Sequence, residues 1–424
     1  MNKLRNQSPA RPKKVLEINV SDVAFGGDGI AREDGKVIFI EHAVAGERVE
    51  VELLQDKKRF ARARVLRYLE PAVDAVPAFC KVFGSCGGCN WQHVPYAKQL
   101  EWKSNFIKSA LFKNARLELD HDIEVLGSDD LKNYRNRIKL KARVNSKQRL
   151  EFGFFARSSH VPVFIDHCPI ADVAVNAFLS ELKTFSFTKP FQWQGDVEVQ
   201  ALAQGKRLLH FTPEFPKEAL SQLRKHFPDD EIEAKDTLLF EEAEGLSYAT
   251  QTGQFQQVNV KGNRFLRKWI KDKIESIGAS SVLDLFCGSG NLSLQLLNGK
   301  RRVWGLELAG KAIDTAQINL KENDLSGGTY RLGPVSELFQ IFEDLPKELD
   351  CIITDPPRQG MDDSLEEVLK LRPKHILSVS CDPNTFARDL KGMLDQGYVL
   401  KEIFGIDFFP HTYHVETIAH LSRV

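Results

Sequence analysis

The sequence has little cysteine, no long apolar run and no excess of either charge. Its 424 residues include only seven cysteines and carry a formal net charge of zero. No stretch of about 18 apolar residues occurs, and the first fourteen residues have no apolar core. We therefore expect neither a membrane span nor a signal peptide, and the scarcity of cysteine excludes a disulfide scaffold. The cytoplasm, a reducing compartment, is the expected location.

Internal repeats and low-complexity tracts are also missing, and the length predicts two or three domains. The overall neutrality conceals an uneven distribution of charge. Three runs contain basic but no acidic side chains, with five, six and eight cations in residues 1–14, 57–67 and 132–149. One such run is usually a solvated face, but three of them favour contact with a nucleic acid backbone.

Residues 13–70 have the pattern of a small β-barrel. Short apolar or alternating runs over 16–20, 35–40, 47–54 and 62–69 are separated by glycine-rich turns. The segment from Gly26 to Leu53 resembles a TRAM domain, an OB-like barrel found on RNA-modifying proteins. The resemblance implies an RNA partner for this chain.

A strand with period two is predicted over Tyr134–Val144. The cations on one of its faces would repel each other unless something compensated them, and these are Arg135, Arg137, Lys139, Lys141 and Arg143. An RNA backbone on that face would compensate them. The alternative is a set of carboxylates supplied from elsewhere in the fold.

Three cysteines lie within ten residues, at Cys80, Cys86 and Cys89, and Cys168 is a plausible fourth thiol. Four cysteines suit either zinc or an iron–sulfur cluster. The single C-x2-C pair departs from the usual zinc spacing and slightly favours a cluster. Trp91 and His93, which follow closely, could stack on a base or pack in a core.

From residue 251 to 424, apolar strands alternate with helical segments, which predicts a doubly wound parallel sheet of Rossmann-like type. The first strand ends in a glycine-rich turn from Asp284 to Asn291, and an acid, Glu307, ends the next. This spacing is compatible with a dinucleotide or with S-adenosylmethionine. The presence of two glycines rather than three, with Asp355-Pro-Pro further on, favours S-adenosylmethionine.

Two more motifs, at 354–360 and 378–384, are expected at later strand ends, where an open sheet places its active site, and a third, at 409–416, lies near the C-terminus. Cys381 opens a loop at a strand end, and Glu416 ends the third motif. Methylation of uracil C5 needs such a pair, because a thiolate must add to C6 and a base must then remove the C5 proton. His411 and His414 are alternative bases on sequence grounds, whereas Cys287 and Cys351 have the pattern of inert core thiols.

Residues 251–424 resemble the RNA uracil-C5 methyltransferase family, whose motifs they match in order and spacing. The resemblance implies that Cys381 is the nucleophile and Glu416 the base. It implies that the residues contacting S-adenosylmethionine are Gln257, Phe286, Asn291, Glu307 and Asp355. It also implies a [4Fe-4S] cluster on Cys80, Cys86, Cys89 and Cys168, as in the ribosomal RNA branch.

The expected protein is therefore a multidomain α/β enzyme with a barrel at 13–70, a central α+β RNA-binding domain at 71–250 and a methyltransferase domain at 251–424. The expected reaction is methylation of a uridine in 23S rRNA through a covalent cysteine adduct, with no obligate protein partner. Three alternatives remain open: a tRNA uridine methyltransferase, an amino-group methyltransferase and a non-catalytic iron–sulfur RNA-binding protein.

Overall fold

The computed structural model describes residues 14–233 and 237–423. Most of the basic run at 1–14 lies outside these residues. The chain packs into two compact units, residues 1–102 with 411–413, and residues 103–410 with 414–424. The predicted domain boundaries after residues 70 and 250 stay predictions. Within the described part of the chain, no helix is long and apolar enough to cross a membrane.

The predicted barrel strands are present as one six-stranded sheet in the order β1-β5-β6-β4-β3-β2. Its interior consists of small and β-branched residues such as Ile38, Ile40 and Val49. Buried positions alternate with less buried ones along much of β4, β5 and β6, as a sheet with one buried face requires. The strands are β1 (Val15–Asn19), β2 (Asp22–Val23), β3 (Gly29–Glu33), β4 (Lys36–Glu41), β5 (Arg48–Asp56) and β6 (Phe60–Glu70).

The central part of the chain forms a second sheet in the order β10-β9-β8-β11-β12-β13. Three helices belong to this part, and a π-helical turn extends the first of them over Leu111–Ala115. The helices are α1 (Tyr96–Ala110), α2 (Val173–Thr184) and α3 (Lys217–His226). The strands are β7 (Val125–Leu126), β8 (Arg137–Val144), β9 (Leu150–Phe155), β10 (Pro162–Phe164), β11 (Gln194–Ala201), β12 (Arg207–Thr212) and β13 (Glu231–Ile232).

Carboxylates, rather than an open face, meet the cations of β8. Lys139 and Lys141 both pair with Asp196 of the neighbouring strand, and Arg143 lies 2.8 Å from Glu151. Arg137 lies 3.7 Å from Glu198. This is the alternative of carboxylates supplied from elsewhere in the fold, and contact of this face with an RNA backbone stays a prediction. Four of the five cations of this face pair with three carboxylates, two of them on the antiparallel partner β11, and local sequence does not reveal this pairing.

The Rossmann-like sheet has eight strands in the order β18-β17-β16-β19-β20-β22-β21-β7. A hairpin of β14 (Leu238–Ala243) and β15 (Leu246–Gln251) precedes it, and β7 comes from far upstream in the chain. Its strands are β16 (Ser281–Leu285), β17 (Arg302–Glu307), β18 (Gly328–Leu332), β19 (Cys351–Thr354), β20 (His375–Ser380), β21 (Tyr398–Ile406) and β22 (Glu416–Arg423). Its helices are α4 (Val260–Ser276), α5 (Gly310–Glu322), α6 (Leu338–Ile341), α7 (Ser364–Lys370) and α8 (Pro383–Asp395).

The topology of this sheet determines where a ligand can bind. The chain runs outward from β16 through β17 to β18, and then returns to the other side of β16 as β19. Neighbouring loops therefore diverge between β16 and β19 and leave a crevice at the carboxyl ends of the strands. Apolar clusters cover both faces of the sheet, which explains why the strands are continuous hydrophobic runs.

Candidate active site

Strand register brings the catalytic motifs to one edge of the sheet. Leu285 of β16 is level with Thr354 of β19, and Thr354 is level with Ser378 of β20. On the antiparallel side, Ser380 of β20 is level with Thr417 of β22. Asp355, Cys381 and Glu416 each lie one residue beyond these pairs, so they converge at the same end.

Cys381 occupies the junction between β20 and α8. The next residue, Asp382, caps the helix by accepting hydrogen bonds from the backbone N–H groups of Asn384, at 2.8 Å, and Thr385, at 3.4 Å. Pro383 stands in the first turn, where its missing N–H costs nothing. This cap fixes the backbone next to Cys381, whose thiol is half-buried.

Burial at this end of the sheet raises the pKa values of the three acidic groups. Burial raises the pKa of the Cys381 thiol to about 12, with further contributions from Glu416 and Asp355. Burial and Asp355 together raise the pKa of Glu416 to about 8, and burial raises that of Asp355 to about 6. The Arg358 guanidinium opposes these shifts and lowers the pKa of both Cys381 and Glu416.

The two histidines considered as alternative bases differ from Glu416. Burial lowers the pKa of His414 to about 4, and the positive charges of Arg358, Lys103 and Arg135 add to this shift. The main-chain N–H of His411 donates to Gln99 Oε1 at 2.9 Å, and its Nδ1 lies 3.3 Å from Gln99 Nε2. Glu416, whose pKa lies close to neutrality, has the better properties for proton transfer near pH 7.

The glycine-rich turn after β16 has the backbone of a ligand-binding loop. Phe286, Gly288 and Gly290 all have positive φ angles, of 62°, 55° and 88°. Glu307 holds the turn, since its carboxylate accepts hydrogen bonds from the N–H groups of Gly288, at 3.1 Å, and Leu308, at 2.8 Å. A carboxylate has further lone pairs, so Glu307 can still accept from ribose hydroxyls.

Gln257 lies half-buried in the segment that joins β15 to α4. Arg137 donates to the carbonyl of Gln254 at 2.8 Å, and the N–H of Asn136 donates to the carbonyl of Val258 at 3.0 Å. The beginning of β8 therefore supports the segment that carries Gln257. The sequence did not indicate this role for Arg137.

Three residues that hydrogen-bond to the glycine-rich turn were not predicted from the sequence. Asn263 and Arg267 of α4 both hydrogen-bond to Asn291, and Asn319 of α5 donates to the carbonyl of Ser289 at 2.9 Å. The available signal was the presence of polar residues at buried helical positions, four residues apart at 263 and 267. Without the fold, that spacing does not reveal which loop the side chains reach.

The cysteine-rich segment is a series of turns without helix or strand. Cys80, Cys86 and Cys89 are reduced and half-buried, and the N–H of Cys80 donates to the buried side chain of Gln92 at 3.0 Å. Cys168 is buried separately before α2, where its N–H and carbonyl both bind Asn176. The donor chemistry fits a metal cluster, although the described residues include no group of three or more ligands arranged to hold a metal ion.

Trp91 and His93 both contact other side chains of the protein. Trp91 is fully buried and packs edge-to-face on Trp102, with ring centroids 5.2 Å apart. His93 lies 3.4 Å from the buried Glu47. Of the two possibilities that the sequence left open for Trp91, packing in a core is the correct one.

The fold and this strand-end site define a Rossmann-like methyltransferase preceded by a β-barrel. Comparison with protein families is consistent with both parts. The model for the TRAM domain matches residues 9–66, and the model described as tRNA (Uracil-5-)-methyltransferase matches 225–331 and 340–424.

Relatives match along the whole chain. A Vibrio parahaemolyticus protein named 23S rRNA (uracil(1939)-C(5))-methyltransferase RlmD is 30% identical, over 97% of this chain and 99% of its own. An uncharacterized RNA methyltransferase of Listeria monocytogenes is 29% identical over the same shares. The Pyrococcus abyssi tRNA (uracil-54, C5)-methyltransferase structure, 22% identical, has the same fold, with a TM-score of 0.70 over 96% of this chain and all of that one.

The chain therefore belongs to the RNA uracil-C5 methyltransferase family, whose members use S-adenosylmethionine. The predicted fold class, with its N-terminal barrel and Rossmann-like domain, is confirmed.

Proposed function

We propose that this chain methylates C5 of a uridine in 23S rRNA through a covalent bond between Cys381 and C6 of the base. The observation that carries the proposal is the convergence of Asp355, Cys381 and Glu416 at the strand ends next to the glycine-rich turn. The choice of 23S rRNA rests on the name of the Vibrio relative, which matches the full length of the chain.

The proposed reaction uses Cys381 first and Glu416 second. S-adenosylmethionine supplies an electrophilic methyl group. Cys381 Sγ loses its proton to water and adds to C6, and the electrons displaced from the C5–C6 double bond would then bond C5 to that methyl group, with S-adenosylhomocysteine as the leaving group. Glu416 then removes the proton from C5, the electrons re-form the C5–C6 double bond, and the C6–S bond breaks to restore the thiolate. The base must leave its stack to reach the site.

Arg358 has a role that follows from its charge. The thiol and Glu416 are both neutral at rest because burial raises the pKa of each. The guanidinium lowers both, so it favours the thiolate that attacks and the carboxylate that accepts the C5 proton. The adjacent loop of Gln257, Phe286, Asn291 and Glu307 would hold the cofactor, with Asp355 at the same crevice.

The test uses 23S rRNA fragments and tRNA in which uridine is replaced by 5-fluorouridine. Fluorine cannot leave C5 as a proton, so the adduct should persist on a denaturing gel and map to Cys381 by mass spectrometry. The Cys381→Ala variant and unmodified RNA are the controls. An adduct on tRNA alone would replace the ribosomal assignment, and methylation without any adduct would exclude the covalent route.

We also propose that Cys80, Cys86, Cys89 and Cys168 hold a [4Fe-4S] cluster. The support is the thiol chemistry of the donor set and the resemblance to the ribosomal RNA branch. Anaerobic purification should give about four irons and four sulfides per chain. Stoichiometric zinc in place of iron would favour the alternative metal, and neither metal would remove the site.

A further inference from the structure

A buried arginine that the reaction does not use lies behind the glycine-rich turn. Arg267 of α4 is only 1% exposed, and its guanidinium carbon lies 4.0 Å from the centre of the Tyr248 ring. Its Nη atoms approach two carboxylates of the hairpin, Glu241 at 3.3 Å and Glu244 at 3.4 Å. Its charge is thus compensated without any contribution from a ligand.

The remaining donor of this side chain reaches the turn itself. Arg267 Nε donates to Asn291 Oδ1 at 3.1 Å. The amide of Asn263, one helical turn earlier, pairs with that of Asn291 at 2.9 and 3.0 Å, and its oxygen, when turned toward the guanidinium, accepts from Arg267 Nη2 at 2.7 Å. Because Arg267 can only donate, the oxygens of this Asn263–Asn291 pair must face it, and the guanidinium therefore fixes how the two amides are turned.

A second anchor joins the same turn to the same hairpin. Asn319 of α5 accepts from the N–H of Ala249 at 2.6 Å and donates to its carbonyl at 3.1 Å. The Asn319 amide also donates to the carbonyl of Ser289, at the centre of the turn. The hairpin at Leu238–Gln251 is therefore linked to the turn through Arg267 on one side and Asn319 on the other.

We propose that Arg267 is a positioning residue for S-adenosylmethionine binding, and that the hairpin Leu238–Gln251 braces it. A buried ion pair adds little net stability compared with apolar packing, so stability alone does not account for a charge here. Its geometric effect is specific, since the guanidinium plane orients Asn291 while Glu241 and Glu244 orient the guanidinium. The inference rests on the proposed cofactor role of the Phe286–Asn291 turn.

The test compares Arg267→Met with Arg264→Met. Arg264 lies on the same helix and also contacts Glu241, at 3.5 Å, but its hydrogen bonds go to the hairpin and not to Asn291. We expect Arg267→Met to weaken S-adenosylmethionine binding about tenfold, the effect of losing one oriented polar contact. RNA affinity and kcat at saturating cofactor should be retained, and Arg264→Met should match the unmodified chain in all three. An unchanged cofactor Kd in Arg267→Met would overturn the proposal.

Two further variants keep the outcome interpretable. Glu241→Gln with Glu244→Gln loosens the brace from the partly exposed side and preserves Arg267, so it should weaken cofactor binding less, by about threefold. If Arg267→Met does not fold, an unchanged Kd in this double variant would overturn the proposal in its place. Glu307→Ala tests the site itself. If its affinity is also unchanged, the proposed cofactor turn is wrong, whereas weakening in Glu307→Ala alone refutes only the role of Arg267.

Discussion

At the residue scale, the raised pKa values of the proposed catalytic pair, Cys381 and Glu416, keep both groups mainly neutral near pH 7. Burial raises the pKa of Cys381 to about 12 and that of Glu416 to about 8, and the carboxylate of Asp355 adds to both shifts. A thiolate formed permanently at this position would be open to oxidation. In the proposed mechanism the Cys381 thiol ionises only in the RNA complex, and the positive charge of Arg358 favours the thiolate.

Replacement of Glu416 by Gln should trap the reaction after methyl transfer. Glutamine keeps the shape of the side chain but cannot accept the C5 proton, so elimination stops while addition of Cys381 continues. Incubation with S-adenosylmethionine and unmodified RNA should then give a protein–RNA adduct that carries one methyl group, detected by mass spectrometry. Cys381→Ala combined with Glu416→Gln is the control without adduct. Normal turnover in Glu416→Gln would assign the base to another group.

Breakdown of the adduct should depend on pH in a defined direction. The raised pKa of Glu416, about 8, means that the carboxylate needed as base predominates only above that pH. The elimination rate should therefore fall by about tenfold per pH unit below pH 8 and level off above it. Single-turnover quenching between pH 6 and 9 measures the fraction of adduct, which should increase toward low pH. A rate that is flat across this range would exclude Glu416 as the titrating base.

At the element scale, strand ends were predictable from sequence and strand partners were not. The runs that became β16, β17, β19 and β20 are mainly apolar, and the motifs directly follow them. This local order was enough to place Asp355 and Cys381 at one edge. The pairing of β8 with β11 joins segments that are distant in sequence, so the carboxylates facing Lys139 and Lys141 could not be foreseen. The contribution of β7 to the last sheet was hidden for the same reason.

The two groups of surface cations should differ in their effect on RNA binding. Lys57, Lys58 and Arg59 are exposed in the turn between β5 and β6, with no ion pair to a described residue. Replacing all three by Gln should reduce the slope of log K for RNA binding against log salt concentration by about two, since each phosphate contact contributes about 0.7 to 0.9 to that slope. Lys139→Gln with Lys141→Gln should change the slope by less than one, because Asp196 already compensates both. Filter binding at several salt concentrations measures both, and the opposite ranking would restore β8 as the phosphate-binding face.

At the scale of the whole molecule, the family could be identified from sequence because its motifs are contiguous. The glycine-rich turn, Asp355-Pro-Pro, Cys381-Asp-Pro and Glu416 are each read within a few residues. The supports of the site are not contiguous, since Arg267 reaches Asn291 from α4 and the hairpin reaches Arg267 in turn. The polar groups that orient the residues of a site are those close to them in the fold, and these need not be close in the sequence. Sequence therefore indicates the reacting residues of this enzyme better than the residues that hold them.

Removal of the proposed cluster should destabilise the chain without weakening cofactor binding. The turns around Cys80, Cys86 and Cys89 lack helix and strand, so metal coordination would supply much of their folding energy. We expect Cys89→Ser to lose iron and to lower a melting transition in calorimetry, while the Kd for S-adenosylmethionine stays within about twofold. Cys381→Ser is the matched control, because it removes a half-buried thiol outside the cluster and should keep its iron. Full iron and an unchanged transition in Cys89→Ser would show that Cys89 does not bind the metal. Loss of cofactor affinity together with iron would instead show that the cluster contributes to the methyltransferase site.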